Sequence, residues 1–169
     1  LIHRKRCNII GIDPTKKSHS FIENQNLLTN FLLIKKALDA ESDKKITMYK
    51  NSNPAHVSES ILSSHLSVKK GENYLAETIS LQDIFEKFDD ISLIKMDIEG
   101  SEYDVMNSLV SIPESVRQLC IEFHHFCTDY EVGDTHQIIG LLKKFGFNKH
   151  YKNNVDSPHP LAELTFIRE

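Results

Sequence analysis

The sequence predicts an α/β fold built on a mainly parallel sheet with helices on both faces. Short apolar runs typical of buried strands alternate with segments whose apolar residues recur at helical spacing. The run SLIKMD at 92–97, for example, is followed by the helix-like segment SEYDVMNSLV at 101–110. The apolar face of that helix consists of Tyr103, Met106, Leu109 and Val110. Alternation of this kind indicates strand–helix–strand units, which place their strands in parallel.

Apolar runs and capping residues define the elements of the N-terminal half. The predicted strands are CNIIGIDP (7–14), FLLIKKAL (31–38) and KKITMYKN (44–51). Between the first two, Thr15 or Ser18 can cap a helix that runs to about Leu28. Residues 52–72 are rich in Ser, Asn and His and show little periodicity. They predict a long loop, and long loops in compact domains are often functional.

The same signals continue through the C-terminal half. The predicted strands are YLAETI (74–79), SLIKMD (92–97), QLCIEFH (118–124), FNKHYK (147–152) and AELTFIRE (162–169). Ser80 and Asp83 form a capping arrangement for the helix after the first of these strands. A helix over 135–146 ends at Gly146, a residue type common just after helices. We expect the last strand to be antiparallel, and residues 1–169 to form a single domain.

Composition and charge limit the classes of function. The net charge of -4 does not favour nucleic acid or an anionic membrane as a partner. No apolar stretch has the length of a membrane span, and no secretory signal is visible. Cys7, Cys120 and Cys127 are odd in number and lack metal-type spacing, which indicates a reducing compartment. We therefore expect a cytoplasmic location.

Acidic residues gather where two predicted strands end. Asp97 ends one strand and Glu99 follows it, while Glu122 and His124 share a face of QLCIEFH because strand side chains alternate. If the two strands are parallel neighbours, all four residues converge beyond their carboxyl ends. Open α/β sheets bind ligands in that crevice. The sequence therefore predicts a ligand site there, with His124 as a candidate general base.

Several of these residues also have a structural interpretation. Glu122 can cap backbone amides or pair with Lys95. Glu102, in the first helical turn, complements the helix dipole by about 0.3–1 kcal/mol without any ligand. Gly100 permits a tight strand-to-helix turn. His125 points to the other face from its neighbour, so a solvent-facing or structural role is favoured.

The acidic residues raise two further types of ligand, a divalent metal ion and a nucleotide cofactor. Asp97, Glu99, Glu122 and His124 are a plausible oxygen and nitrogen set for a divalent ion. Their spacing matches no dedicated metal motif, so we expect no metal. Asp13 closes the first predicted strand, where an acid commonly accepts hydrogen bonds from the ribose of a nucleotide cofactor. Alternatively, it is a turn-forming residue before a proline.

Several of these sequence motifs resemble those of a known family. IKMDIEGSE (94–102), preceded by ETISLQDIFEKF (77–88), resembles the signature region of FkbM-type methyltransferases. The resemblance implies S-adenosylmethionine as cofactor and the Rossmann-like class I methyltransferase fold. Many members O-methylate sugars or natural products. NIIGIDPTKKSHSFIENQ (8–25), CIEFHHF (120–126) and LLKKFGF (141–147) are similar to the family's second strand and helix, fifth strand and late helix.

The resemblance also implies roles for individual residues. Asp13, standing where the family more often has Glu, would bind the cofactor ribose, and Asp97 would lie near the sulfonium and the acceptor. The adenine would lie beside Ala37, Leu38 and Asp39. The acceptor side would be lined by Glu99, Glu102, Glu122 and His124. The implied reaction is an in-line methyl transfer to a hydroxyl, with His124 or Asp97 as the base and the 52–72 loop selecting the substrate.

One part of the family pattern is absent from the sequence. The glycine-rich loop that follows the family's first strand has no counterpart, and the few residues before Cys7 cannot hold that strand, the loop and a helix. The chain also opens with Leu1 rather than methionine. We therefore expect a fragment that lacks the first strand, which lies between the strands ending at Asp13 and Asp97. A second copy could complete such a sheet in trans, so a homo-oligomer is a further expectation.

Two functions remain open at this point. The first is a methyltransferase acting on a small-molecule or saccharide acceptor, and the second is a non-catalytic module of the same fold that binds a glycan or a protein partner. A glycine-rich turn upstream would favour the enzyme. A nicotinamide-dependent enzyme ranks below both, because the sequence has no GxGxxG.

Overall fold

A computed structural model describes residues 7–25, 30–53, 58–65, 67–125, 128–153 and 161–169. Within these ranges the chain forms nine strands and four helices. The strands are β1 (Ile9–Ile12), β2 (Phe31–Ile34), β3 (Ala37–Asp39), β4 (Lys45–Asn51), β5 (Val68–Ser80), β6 (Leu93–Met96), β7 (Gln118–Phe123), β8 (Lys149–Asn153) and β9 (Ala162–Ile167). The helices are α1 (Lys16–Glu23), α2 (Leu81–Lys87), α3 (Glu102–Ser108) and α4 (Val132–Lys144). None of these helices is both long enough and apolar enough to cross a membrane.

The strands form three sheets in the orders β1-β2, β3-β5-β4 and β6-β7-β9-β8. The α/β class is confirmed, but the prediction of a mainly parallel sheet is wrong because the sheets are mixed. β1-β2, β3-β5 and β6-β7 are parallel, whereas β4-β5, β7-β9 and β8-β9 are antiparallel. The segment 154–161 between β8 and β9 is shorter than a parallel crossover, which needs about a dozen residues or more. The antiparallel last strand was predicted correctly.

Several predicted elements have different bounds in the structure. The strand expected over 31–38 is broken into β2 and β3, which belong to different sheets. At the break between β2 and β3, the Nζ atom of Lys36 forms an ion pair with Oδ1 of Asp43 at 2.8 Å. β5 begins at Val68, inside the predicted 52–72 loop, because it extends the antiparallel pairing with β4.

The first helix also differs from the prediction. α1 ends at Glu23, where the Asn24 side chain donates to the Ser20 carbonyl at 2.8 Å and competes with further helical bonding. Leu28, the predicted end, lies outside the described residues. Cys127 also lies outside them, and Cys7 and Cys120 carry free thiols.

The predicted helix caps are confirmed. The Thr15 hydroxyl accepts from the Ser18 amide, and the Ser80 hydroxyl accepts from the Asp83 amide at 3.1 Å. Gly146 follows α4 in the left-handed region, with φ of +90°. α4 begins at Val132, earlier than predicted, because Glu131 and Asp134 form a reciprocal capping box.

The main core lies between the four-stranded sheet and helices α3 and α4. Alternate residues of β7 and β9 face it, and α3 packs against both α4 and β7. The buried strand residues are Leu119, Ile121, Phe123, Ala162, Leu164 and Phe166. The predicted helical face is correct for Tyr103, Met106 and Leu109, which are buried. It is wrong for Val110, which is 83% exposed because α3 ends at Ser108 and the chain becomes extended.

A tight turn over residues 97–101 joins β6 to α3. Glu99 and Gly100 both have left-handed backbone conformations, with φ of +57° and +108°. A Cβ added at Gly100 would lie 2.6 Å from Thr128 Cγ2 and 2.9 Å from Leu62 Cδ1. Glycine is therefore needed here both for the backbone conformation and for space, as the sequence predicted.

A Gly100→Ala variant is expected to lose about 2–3 kcal/mol of unfolding free energy, because it adds a close contact to a strained backbone conformation. Urea denaturation measures the loss. Gly140→Ala is the matched control: it lies within α4 with open space at its Cβ position. That control should gain about 0.5–1 kcal/mol. Equal effects of the two substitutions would contradict the assigned geometry.

Candidate active site

A cavity of about 240 Å³ opens between the carboxyl ends of β1 and β6 and strand β3. Its wall includes residues within or just after each of these three strands. Ser58, Glu59 and Ile61, from the loop between β4 and β5, also line it. The predicted site residues that line it are Asp13, Ala37, Leu38, Asp97 and Glu99. The position agrees with the rule that α/β sheets bind ligands beyond the carboxyl ends of their strands.

Asp13 borders the cavity and also shapes the turn after β1. Its Oδ1 accepts from the Thr15 amide at 2.7 Å, and its backbone carbonyl lies 2.7 Å from His19 Nε2. The turn-forming interpretation is therefore confirmed, with Oδ1 as the oxygen that stabilises the turn. Asp39, by contrast, does not line the cavity. Its Oδ1 accepts from the Ala40 amide at 2.8 Å.

Glu102 is fully buried at the centre of the β6–α3 turn. Its Oε1 accepts from the amides of Ile98 and Gly100 at 3.0 and 3.2 Å. The same oxygen lies 2.9 Å from Nδ1 of His124. Glu102 lies in the first turn of α3, as the helix-dipole interpretation requires, but its burial adds a second role. The structure places it behind the cavity wall, where it holds the turn and the histidine together.

His124 connects three carboxylates. Its Nδ1 donates to the Glu102 carboxylate. The other ring nitrogen, Nε2, lies 3.6 Å from Glu99 Oε2 and 3.9 Å from Asp97 Oδ1. Burial opposes the charged imidazolium, but the hydrogen bond that His124 donates to Glu102, together with the surrounding carboxylates, raises the pKa of His124. The predicted convergence of Asp97, Glu99, Glu122 and His124 is present in the structure, where ligand atoms of Asp97, Glu122 and His124 lie within 4.8 Å of one another.

Asp97 and Glu99 differ in their electrostatics. Burial raises the pKa of Asp97, with Lys95 and His124 acting against the shift. The pKa of Glu99 is lowered: burial works against this, but His65 and His124 outweigh it. Asp97 is the more accessible of the two acids, with 42% of its side chain exposed.

Glu122 lies away from the cavity wall. It is half-buried in β7 and directly opposite Glu163 of β9. Burial, followed by the charge of Asp97, raises the pKa of Glu122. Lys95, its predicted partner, has its Nζ 3.8 Å from Asp97 Oδ2.

Sequence reasoning missed His65. This buried residue lies in the loop between β4 and β5, and its Nε2 lies 3.3 Å from Glu99 Oε2. Ser60, also buried, donates from its hydroxyl to the Glu99 carbonyl at 2.6 Å and so fixes the loop onto the β6–α3 turn. The Ser- and His-rich composition of residues 52–72 indicated the region, but without periodicity it could not indicate the residue.

His125 has the structural role that the sequence allowed. It is fully buried, and its Nδ1 lies 3.2 Å from the Thr135 hydroxyl on α4. The solvent-facing alternative is wrong, because His124 and His125, which follow β7, are both buried.

The cavity lies beyond the strand ends, where open α/β sheets commonly bind ligands. An acid closes the first strand, small and apolar residues follow on β3, and acids follow β6.

The chain belongs to the FkbM methyltransferase family, because the model described as "Methyltransferase FkbM domain" matches residues 2–149. The match includes the cavity, the β6–α3 turn and both histidines that face Glu99. The resemblance seen in the sequence is therefore confirmed. No curated protein and no solved structure matches the chain.

Proposed function

We propose that this protein is an S-adenosylmethionine-dependent methyltransferase that acts on a hydroxyl group of a saccharide or natural product. The observation that carries the proposal is the convergence of Asp13, Leu38 and Asp97, from three separate elements, on one cavity. The family of the chain supports the methyltransferase class. The cofactor and the acceptor are inferences from the residues that line the cavity.

The residues present fit the cofactor. Asp13 Oδ1 is engaged by Thr15, and no hydrogen bond to its Oδ2 is made by any described residue, so this oxygen is available to a ribose hydroxyl. Ala37 and Leu38 offer a small apolar wall for an adenine ring. When bound, S-adenosylmethionine supplies an electrophilic methyl group on a sulfonium. The carboxylates of Asp97 and Glu99 give that end of the cavity the negative charge that favours such a cation.

Asp97 is the stronger of the two candidate bases. Its side chain lines the cavity, whereas only 4% of the His124 side chain is exposed and His124 does not line the cavity. We assign Asp97 to accept the proton of the acceptor hydroxyl. Glu102 is a positioning residue, because it holds His124 from behind the cavity wall. Methyl transfer needs mainly alignment of the reactants and a base of this kind.

The loop side of the cavity suits a hydroxyl-rich acceptor. Ser58 and Glu59 add polar groups to the wall, and Tyr74 fixes Glu59 by donating to its carboxylate at 2.6 Å. A few well-placed polar groups of this kind orient ligands in otherwise apolar pockets. Saccharides carry the matching hydroxyls, which supports them as the acceptor class.

Calorimetric titration with S-adenosylhomocysteine tests the cofactor assignment. We expect micromolar binding to the 169-residue chain, weakened about tenfold or more in Asp13→Ala, which corresponds to at least about 1.4 kcal/mol. Asp43→Ala is the matched control, since Asp43 is an exposed carboxylate away from the cavity, and it should bind as the unchanged protein does. No binding to the unchanged chain would contradict the proposal and favour the non-catalytic module.

A further inference from the structure

Two histidines and one carboxylate meet beside the cavity. Glu99 Oε2 lies 3.3 Å from His65 Nε2 and 3.6 Å from His124 Nε2. One ligand atom from each of the three side chains lies within 4.8 Å of the other two. Both histidines are buried, and Glu99 is mostly buried. This grouping joins the 58–65 loop, the β6–α3 turn and the end of β7.

The second ring nitrogen of each histidine is held by an oxygen. His124 Nδ1 lies 2.9 Å from the buried Glu102 carboxylate, and His65 Nδ1 lies 2.8 Å from the Ser67 hydroxyl. Histidines that bind metals almost always donate from the other nitrogen to an oxygen in this way, which fixes the ring and directs its lone pair. Both Nε2 atoms are thereby directed toward Glu99.

We propose that His65, Glu99 and His124 form a binding site for a divalent transition-metal ion such as Zn²⁺ or Co²⁺. A tetrahedral ion with bonds of about 2.1 Å holds neighbouring ligand atoms about 3.4 Å apart, close to the two distances measured to Glu99. Imidazole ligands select such ions over Mg²⁺ and Ca²⁺, which prefer oxygen.

The state of His65 gives independent support. Its Nε2 is buried and makes no hydrogen bond within the described part of the chain, although it faces Glu99. The Ser67 amide donates to Nδ1 of the same ring at 3.2 Å, an arrangement that in a neutral imidazole puts the proton on Nε2. A metal at Nε2 requires the proton on Nδ1, which then donates to the Ser67 hydroxyl rather than accepting from the amide. The site therefore depends on the Ser67 side chain as well as on its three ligands.

A second set of possible ligands shares His124 but is less suitable. Asp97 and Glu122 complete that set, yet Asp97 is partly exposed and Glu122 lies opposite another carboxylate, Glu163. Glu99 and Asp97 both line the cavity, and Asp97 Oδ1 lies 3.9 Å from His124 Nε2. The proposed metal site therefore adjoins the cavity, and an acceptor oxygen could serve as a further ligand of the ion; this last point rests on the proposed function.

Titration of the full chain with Co²⁺ alone, after dialysis against EDTA, tests the site. We expect one ion to bind per chain with the visible absorption of nitrogen and oxygen ligation, and Mg²⁺ not to bind. His65→Ala and Glu99→Gln should each weaken Co²⁺ binding by about 100-fold or more, because loss of even an outer partner costs about 10–100-fold. His136→Ala, which removes an exposed histidine of α4, should leave the affinity unchanged.

Ser67→Ala keeps all three ligands and is expected to weaken Co²⁺ binding by about 10–100-fold without loss of the fold. Circular dichroism of each variant checks that it is folded. No Co²⁺ binding, or equal weakening by His136→Ala, would overturn the proposal and leave the two imidazoles as hydrogen-bond donors to Glu99. Titration of the EDTA-treated protein with S-adenosylhomocysteine separates this result from a failure of the proposed function.

Discussion

A Glu102→Ala variant is expected to lose about 3–5 kcal/mol of unfolding free energy, the largest effect of any single change considered for this protein. The carboxylate is fully buried, and one of its oxygens accepts from two backbone amides and faces His124 Nδ1. Its removal leaves the Ile98 and Gly100 amides and the histidine without their partner in a region closed to water. The β6–α3 turn should open as a result.

Urea denaturation measures this loss. Glu102→Gln keeps the accepting oxygen but places an amide group where the buried Oε2 has no hydrogen-bond partner among the described residues, so an intermediate loss is expected. Glu86→Ala, at an exposed position of α2, is the control and should stay within about 0.5 kcal/mol of the unchanged protein. A loss in Glu102→Ala no larger than that of the control would show that the buried network contributes nothing to the turn.

An Asp97→Asn variant is expected to bind S-adenosylhomocysteine as the unchanged protein does but to transfer methyl groups about 10²–10⁴-fold more slowly. The substitution keeps the size of the side chain and removes the carboxylate that faces the cavity. Since the asparagine amide cannot take up the hydroxyl proton, the rate of transfer should fall, while the affinity for S-adenosylhomocysteine, which lacks the sulfonium charge, is kept.

The measurement is formation of S-adenosylhomocysteine under single-turnover conditions, with an acceptor found by screening saccharides. Glu163→Gln provides a matched control, because Glu163 is an exposed carboxylate on the neighbouring strand β9 and does not line the cavity. The control should keep the full rate. An Asp97→Asn rate within about tenfold of the unchanged protein would place the base elsewhere.

Local signals in the sequence predicted the elements well. Apolar runs predicted the strands β1, β4, β6 and β7. Hydroxyl caps predicted the starts of α1 and α2, and Gly146 the end of α4, because these signals depend on a few neighbouring residues. Strand partners depend on distant residues. The sequence could not show that β2 and β3 enter different sheets, or that half of the strand pairs are antiparallel.

The candidate site was predictable where strand alternation decides the outcome. Alternation placed Asp97, Glu99, Glu122 and His124 together at the strand ends, and the structure shows them there. The burial of Glu102 was not predictable, because an acid in a first helical turn is usually explained by the helix dipole. His65 comes from a loop without periodicity, so only the tertiary structure brings it to Glu99.

Hydrogen exchange with and without S-adenosylhomocysteine tests whether the carboxyl ends of β1 and β6 share one cofactor site with β3. We expect the ligand to slow exchange in three separate segments, residues 12–15, 37–39 and 97–101, and to leave the distant strand β8 unchanged. All three segments contribute residues to the wall of the cavity. Slowed exchange elsewhere, with these three segments unaffected, would contradict the site and the function assigned to it.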